Sequence, residues 1–218
     1  MVALLKLLAG MYKLPKTSLL GPKQYFQLLN GIEAIEEDAR LFISHWAQTK
    51  PISVQEEALA AASFCNSAVQ RAYFTLMIMS CCPELQEKNI SLAVNCCKGV
   101  LHPLKGLFLQ RKLLSVLQNI PSAQYNADYF IESYSFSLKL FSRWTQMGLR
   151  SERQQRVTER EELFELAFCP LLRSINQVST AETFSKLFLP TILSELINTV
   201  DAQTQTLVFD SLCSVKLS

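Results

Sequence analysis

The chain has 218 residues, enough to bury one sizeable core or to form an elongated array of helix pairs. Hydrophobic residues make up 49% and charged residues 18%, with only 6 Gly, so a many-stranded β protein lacks its turn residues and the class expected is all-α. Twenty-one basic against 19 acidic side chains leave a net charge of +2, which excludes a global field steering the chain toward nucleic acid or acidic lipid.

The first segment, "MVALLKLLAGMYK", is apolar on nearly every side through Val2, Leu4, Leu5, Leu7, Leu8 and Met11. Such a helix requires burial all round. Lys6 interrupts it, Arg is absent and no small-residue cleavage pattern follows, so a core helix is preferred over a targeting peptide. Gly10 to Thr17 nearly spells a phosphate-binding P-loop. Pro15 stands where the second Gly is needed and removes an N–H donor, which argues against nucleotide binding.

Pro22 suits the first turn of the next helix, whose apolar face runs through Tyr25, Leu28, Leu29 and Ile32 and then Ile35, Ala39, Phe42, Ile43 and Trp46. Pro51 and a Ser53-x-x-Glu56 capping box open another segment running toward Cys82 through Leu59, Phe64, Ala68, Ala72, Leu76 and Met79. Its length exceeds an ordinary helix, so a break into a pair is expected near Asn66-Ser67. Pro83, Pro103 and Pro121 then punctuate units of one helix plus a joint, with Gly99 closing the first unit and Leu107, Leu113, Leu114 and Leu117 striping the second. Two such units make the period of a paired-helix array, about 40 residues.

From Ser133 to Leu140 the chain alternates apolar and polar residues as a strand does. Phe130, Tyr134, Leu138 and Phe141 also fit a helix, and helix is the better reading because a lone strand would have no partner for its backbone. Downstream, Phe164, Phe168 and Pro170 are echoed by Phe184, Phe188 and Pro190, with a second capping box at Ser179-x-x-Glu182. The chain from Leu187 to Val215 carries Pro190, Ile192, Leu193, Leu196 and Ile197 on a first helix and Asp201 at a turn. Leu207, Val208, Ser211, Leu212 and Val215 follow on a second.

That segment resembles a repeat of the HEAT/armadillo class. It lacks the basic residue often found early in the second helix of that family. The resemblance implies an α-solenoid of stacked antiparallel helix pairs, about 8–11 helices in all, in a single helical-repeat domain spanning 1–218. Its apolar first helix and uncapped last helix suit a piece of a longer array, or ends covered by a partner.

Candidate chemistry is sparse. Seven cysteines (Cys65, Cys81, Cys82, Cys96, Cys97, Cys169, Cys213) lie in apolar stretches, an odd count that suits free thiols in a reducing compartment, cytoplasm or nucleus. The Asn89-Ile90-Ser91 sequon is then idle. Neither Cys pair has C-x-x-C spacing, and His45 and His102 are the two histidines, so neither a metal site nor a hydrolytic triad is expected, and no cofactor or small-molecule substrate. No apolar run reaches the length of a membrane span.

The candidate interaction surface is basic: Lys98, Lys105, Arg111 and Lys112 in a stretch without acids, then Arg150, Arg153, Arg156 and Arg160 interleaved with Glu. The function these features imply is a non-catalytic scaffold or adaptor for protein partners. A nucleic-acid-associated scaffold using the Lys98–Lys112 region is the alternative, and an enzyme is the least favoured reading.

Overall fold

A computed structural model describes residues 37–38, 40–120, 123–147, 182, 185–186, 189–199 and 202–213. Eight helices lie among them: α1 over 40–49, α2 Ile52–Ser63, α3 Ala68–Cys81, α4 Pro83–Lys98, α5 Pro103–Gln118, α6 Ala123–Met147, α7 Leu189–Thr199 and α8 Ala202–Cys213. No strand occurs among the described residues. Within each unit neighbouring helices pack on one another, α2 on α3 and α3 on α4, then α5 on α6 and α6 on α7, as in an α-solenoid, and the all-α expectation holds. The chain clusters into two compact units, Met1–Val100 and Leu101–Ser218. The first apolar helix, the Tyr25–Ile32 face, the Phe164 echo and the Ser179 box lie outside the described residues.

In the first unit α3 is the central element, packed against both α2 and α4. Every residue from Ala72 to Met79 is buried, Thr75 included, so the helix is apolar almost all round as a central helix must be. Around it α2 contributes Leu59 and Ala62, and α4 contributes Leu85, Ile90, Ala93, Val94 and Cys97 at helical spacing. The expected break near Asn66-Ser67 is real: α2 ends at Ser63 and α3 starts at Ala68. Pro83 and Pro103 each occupy a first helical position, and Gly99 caps α4. A side chain at Gly99 would meet the Cys96 carbonyl at 3.3 Å, so the position is tight although its φ of −69° is ordinary.

Side chains of one kind tie the joints. Gln55, Arg71 and Gln86 are each the fourth residue of their helix. Gln55 Nε2 donates to the carbonyls of Ala47 (2.8 Å) and Lys50 (3.1 Å) at the end of α1. Arg71 Nη1 donates to Cys65 O (2.7 Å) and Asn66 O (3.3 Å) in the joint before α3. Gln86 Nε2 donates to Met79 O (2.8 Å) near the end of α3. The last carbonyls of a helix have no partner within it, and a long side chain early in the next helix leans back toward its own N-terminus, where those carbonyls are.

Two sequence expectations are corrected. The Ser53–Glu56 capping box does not form: Pro51 is the N-cap, extended at ψ 154°, and no side chain caps the helix. Ser53 therefore falls inside the first turn, and the Pro51 carbonyl receives Val54 N (3.0 Å) instead. Phe42 and Phe64 are exposed, at 54% and 83%, because α1 buries Ile43 and Ala47 and because Phe64 sits in the α2–α3 joint after the helix has stopped.

The second unit is built on α6, which packs against α5 and α7. The alternating segment is helix throughout. Ser133 and Ser137 are completely buried there beside Tyr134, Leu138 and Phe141. The Ser133 hydroxyl donates to the side-chain amide oxygen Oε1 of Gln110 on α5, and the Ser137 hydroxyl donates to Ser133 O at 2.8 Å. Leu107, Leu113, Leu114 and Leu117 are buried as the stripe predicts. Ile192 of α7 and Val208 and Leu212 of α8 are also buried.

Replacing Gln86 with Leu keeps the volume but leaves Met79 O without its donor. The expected cost is about 1–3 kcal/mol, read as a lower urea midpoint with an unchanged slope.

Candidate interaction surface

Of the basic residues singled out by the sequence, Lys98, Lys105, Arg111 and Lys112 are among the described residues. Lys98 is the last residue of α4, in the first unit, and is half-buried. Lys105, Arg111 and Lys112 are on α5 in the second unit, all half-buried. Arg111 and Lys112 follow Phe108 at helical spacings of three and four, so both reach back over its ring. The Arg111 guanidinium carbon lies 5.8 Å and the Lys112 ammonium 5.2 Å from the ring centroid, within cation–π range. Phe108 is buried at 2% exposure, so these two cations also roof an apolar side chain. Arg150, Arg153, Arg156 and Arg160 lie outside the described residues.

His102 has a role that a joint position did not suggest. It is the N-cap of α5, its Nδ1 accepting from the Lys105 backbone N–H at 3.4 Å, while Pro103 fills the first helical position. The available signal was a side-chain acceptor immediately before Pro; His is simply uncommon in that place. Burial first, then Lys105, pushes the imidazole below its ordinary range; a backbone hydrogen bond opposes them, and Arg143 on α6 adds to the lowering. Arg143 is exposed. It was missed because its neighbourhood in sequence is aromatic and polar, and only packing brings it to His102.

The described cysteines are free. Burial, then Cys81, pushes the Cys82 thiol up to about 12. Burial, then Cys96, raises that of Cys97 as well. Both are protonated at neutral pH and so are poor nucleophiles and poor metal ligands. Cys81 Sγ instead contacts the Arg40 carbonyl at 3.6 Å, and Thr75 Oγ1 donates to Cys96 Sγ at 3.8 Å. Among the described residues no group of three or more His, Cys, Asp or Glu is placed to hold a metal ion, and no helix is long and apolar enough to cross a membrane.

A family model described as Vps35, vacuolar protein sorting-associated protein 35, matches residues 1–215. The vacuolar protein sorting-associated protein 35 of Dictyostelium discoideum is 26% identical over 217 residues, covering 92% of this chain and 27% of that protein. The Schizosaccharomyces pombe protein of the same name is 24% identical over 218 residues, covering 91% and 26%. Vacuolar protein sorting-associated protein 35A of Arabidopsis thaliana is 26% identical over 229 residues, covering 97% and 29%. The chain thus spans about a quarter of the length of the curated relatives it matches.

The His102 cap should be acid-sensitive. With the folded imidazole pKa below its ordinary 6.5, the unfolded chain takes up the proton first. The stability that neutral His102 contributes is complete above the ordinary value and is lost as pH falls through the folded one. The thermal midpoint of the parent chain should drop more than that of His102→Asn, which caps without titrating, between about pH 7.5 and pH 5. Alkylation followed by mass spectrometry should modify exposed Cys213 in the native protein well before Cys82 and Cys97, whose thiols should react only on unfolding.

Proposed function

The chain belongs to the vacuolar protein sorting-associated protein 35 family, and on that premise we propose that it is a non-catalytic protein–protein interaction scaffold working in vacuolar protein sorting. Stacked helix pairs make long surfaces without needing catalytic groups, and such surfaces suit an adaptor. The observation that carries the reading is the family match over almost the whole chain, on a fold whose buried polar side chains serve structure: Gln55 and Gln86 tie joints and Ser133 and Ser137 sit in a helix–helix seam. Among the described residues the titratable groups with clear shifts, His102, Cys82 and Cys97, are displaced by burial first, in directions that favour neutral, unreactive forms.

We read the 218 residues as one stretch of helical-repeat array, acting inside the cell in a reducing compartment, the cytoplasm for a sorting role, where free thiols persist. Protein partners are the expected ligands, without cofactor or small-molecule substrate. The basic residues Lys98, Lys105, Arg111 and Lys112, with Arg150, Arg153, Arg156 and Arg160, remain the proposed contact points. The nucleic-acid alternative has less support, since Arg111 and Lys112 lie over Phe108 instead of standing clear as phosphate clamps.

Affinity purification of the tagged chain from cells, followed by sizing of the eluate, should recover at least one stoichiometric protein partner. A monomer with no partner, or a salt-dependent mobility shift with DNA or RNA in place of one, would sink the scaffold reading.

A further inference from the structure

We propose that Leu101, His102, Lys105 and Arg143 form a docking point on the second unit for an acidic segment of a partner protein that also carries an apolar residue; this rests on the scaffold reading and gives one of its contacts a chemistry.

The register of one helix pair brings these residues together. Ser133 on α6 is hydrogen-bonded to Gln110 on α5. The two helices run antiparallel, so counting equally outward from that pair sets His102 alongside Phe141, and Arg143 lies about half a turn farther on. Lys105 is in the first turn of α5, its backbone N–H bound to His102 Nδ1 at 3.4 Å. Leu101, 58% exposed, immediately precedes the cap. One corner of the unit therefore holds two permanent cations, an imidazole, the positive end of the α5 dipole and an exposed apolar side chain.

Neither Lys105 nor Arg143 forms a salt bridge with a carboxylate among the described residues, and Arg143 is solvent-exposed. Burial is the first cause of the lowered His102 imidazole; Lys105 and, to a smaller extent, Arg143 add to it, so both cations disfavour a further positive charge there. A carboxylate arriving from outside relieves this repulsion and can accept from Lys and Arg donors, as charge-assisted hydrogen bonds require.

The scale of the patch selects a peptide over other anions. Grip on nucleic acid grows with the number of phosphates neutralised, and two cations supply little of it. Anchoring to an anionic membrane needs a broad apolar face with several basic residues, and one leucine beside two cations is not such a face. A short acidic segment with one apolar side chain uses all four residues.

The test uses the full chain and a fluorescein-labelled peptide of Asp, Glu and Leu, with an Asn, Gln and Leu peptide as the uncharged counterpart, followed by fluorescence anisotropy. The acidic peptide should bind, more weakly as salt rises, and Arg143→Gln should lower its affinity about tenfold or more. Lys105→Gln and Leu101→Ser should each weaken it, while all three variants melt with the parent because the replaced groups make no buried hydrogen bond. The His102 imidazole, followed by NMR, should titrate at higher pH when the peptide is present. Equal binding of the two peptides, an affinity unchanged by Arg143→Gln, or an imidazole unmoved by bound peptide overturns the proposal. So does Arg143-dependent binding of phosphatidylserine vesicles or single-stranded DNA where the acidic peptide fails. If the parent chain recovers a stoichiometric partner from cells while the peptide arm fails, the docking point falls and the scaffold reading stands; if the parent recovers none, the scaffold reading itself fails.

Discussion

Every helix that stops against a neighbour leaves carbonyl groups with no partner inside the helix, and burial then forbids water from serving them cheaply. In the first unit the same answer recurs at three consecutive joints: Gln55, Arg71 and Gln86, each the fourth residue of its helix, reach back to the carbonyls behind them. The geometry explains the recurrence. Side chains lean toward the N-terminus of their helix, and the fourth position faces the preceding joint when two helices fold back on a short connection. These bonds also fix how far α2, α3 and α4 enter against one another, so the apolar packing around α3 depends on them. Oily surfaces alone tolerate sliding, whereas a buried donor tied to one carbonyl does not.

In the second unit the comparable constraint lies in the seam between helices. Ser133 and Ser137 are small enough to bring α5 and α6 close, and the Ser133–Gln110 bond sets the register between them. That register also sets which residues of α6 lie level with the start of α5, where Arg143 adds to the lowering of the His102 imidazole. The two cations over Phe108 are organised differently, by spacing within one helix, and their half-buried stems cover apolar surface as well as carrying charge.

Among the described residues the clearly displaced titratable groups are Cys82, Cys97 and His102, and burial is the first cause in each. The most perturbed groups are pushed toward neutrality by burial, which suits thiols that fill space and an imidazole that caps a helix. Reactive cysteines and general bases need the opposite environment, with charge partners that favour the ionised form. Gln55, Gln86, Ser133 and Ser137, all buried, are instead engaged in joints and in a helix–helix seam.

The helical class, the break at Asn66-Ser67, the prolines at the starts of α4 and α5 and the leucine stripe of α5 were legible in the sequence, because periodicity, Pro and Gly act over a few residues. The HEAT/armadillo resemblance reached the superfamily level; the finer family membership needed comparison across nearly the full chain. Lys105, Arg111 and Lys112 were visible as cations, but not that two of them lie over a phenylalanine while the third borders a histidine cap. The supposed box at Ser53 failed for a local reason, Pro51 taking the N-cap first. The ties made by Gln55, Arg71 and Gln86, the burial of serines that looked like a strand's polar face, and the meeting of His102 with Arg143 belong to tertiary structure alone. Each depends on which neighbour a side chain faces, and a one-dimensional pattern specifies the face of a helix without specifying what is packed against it.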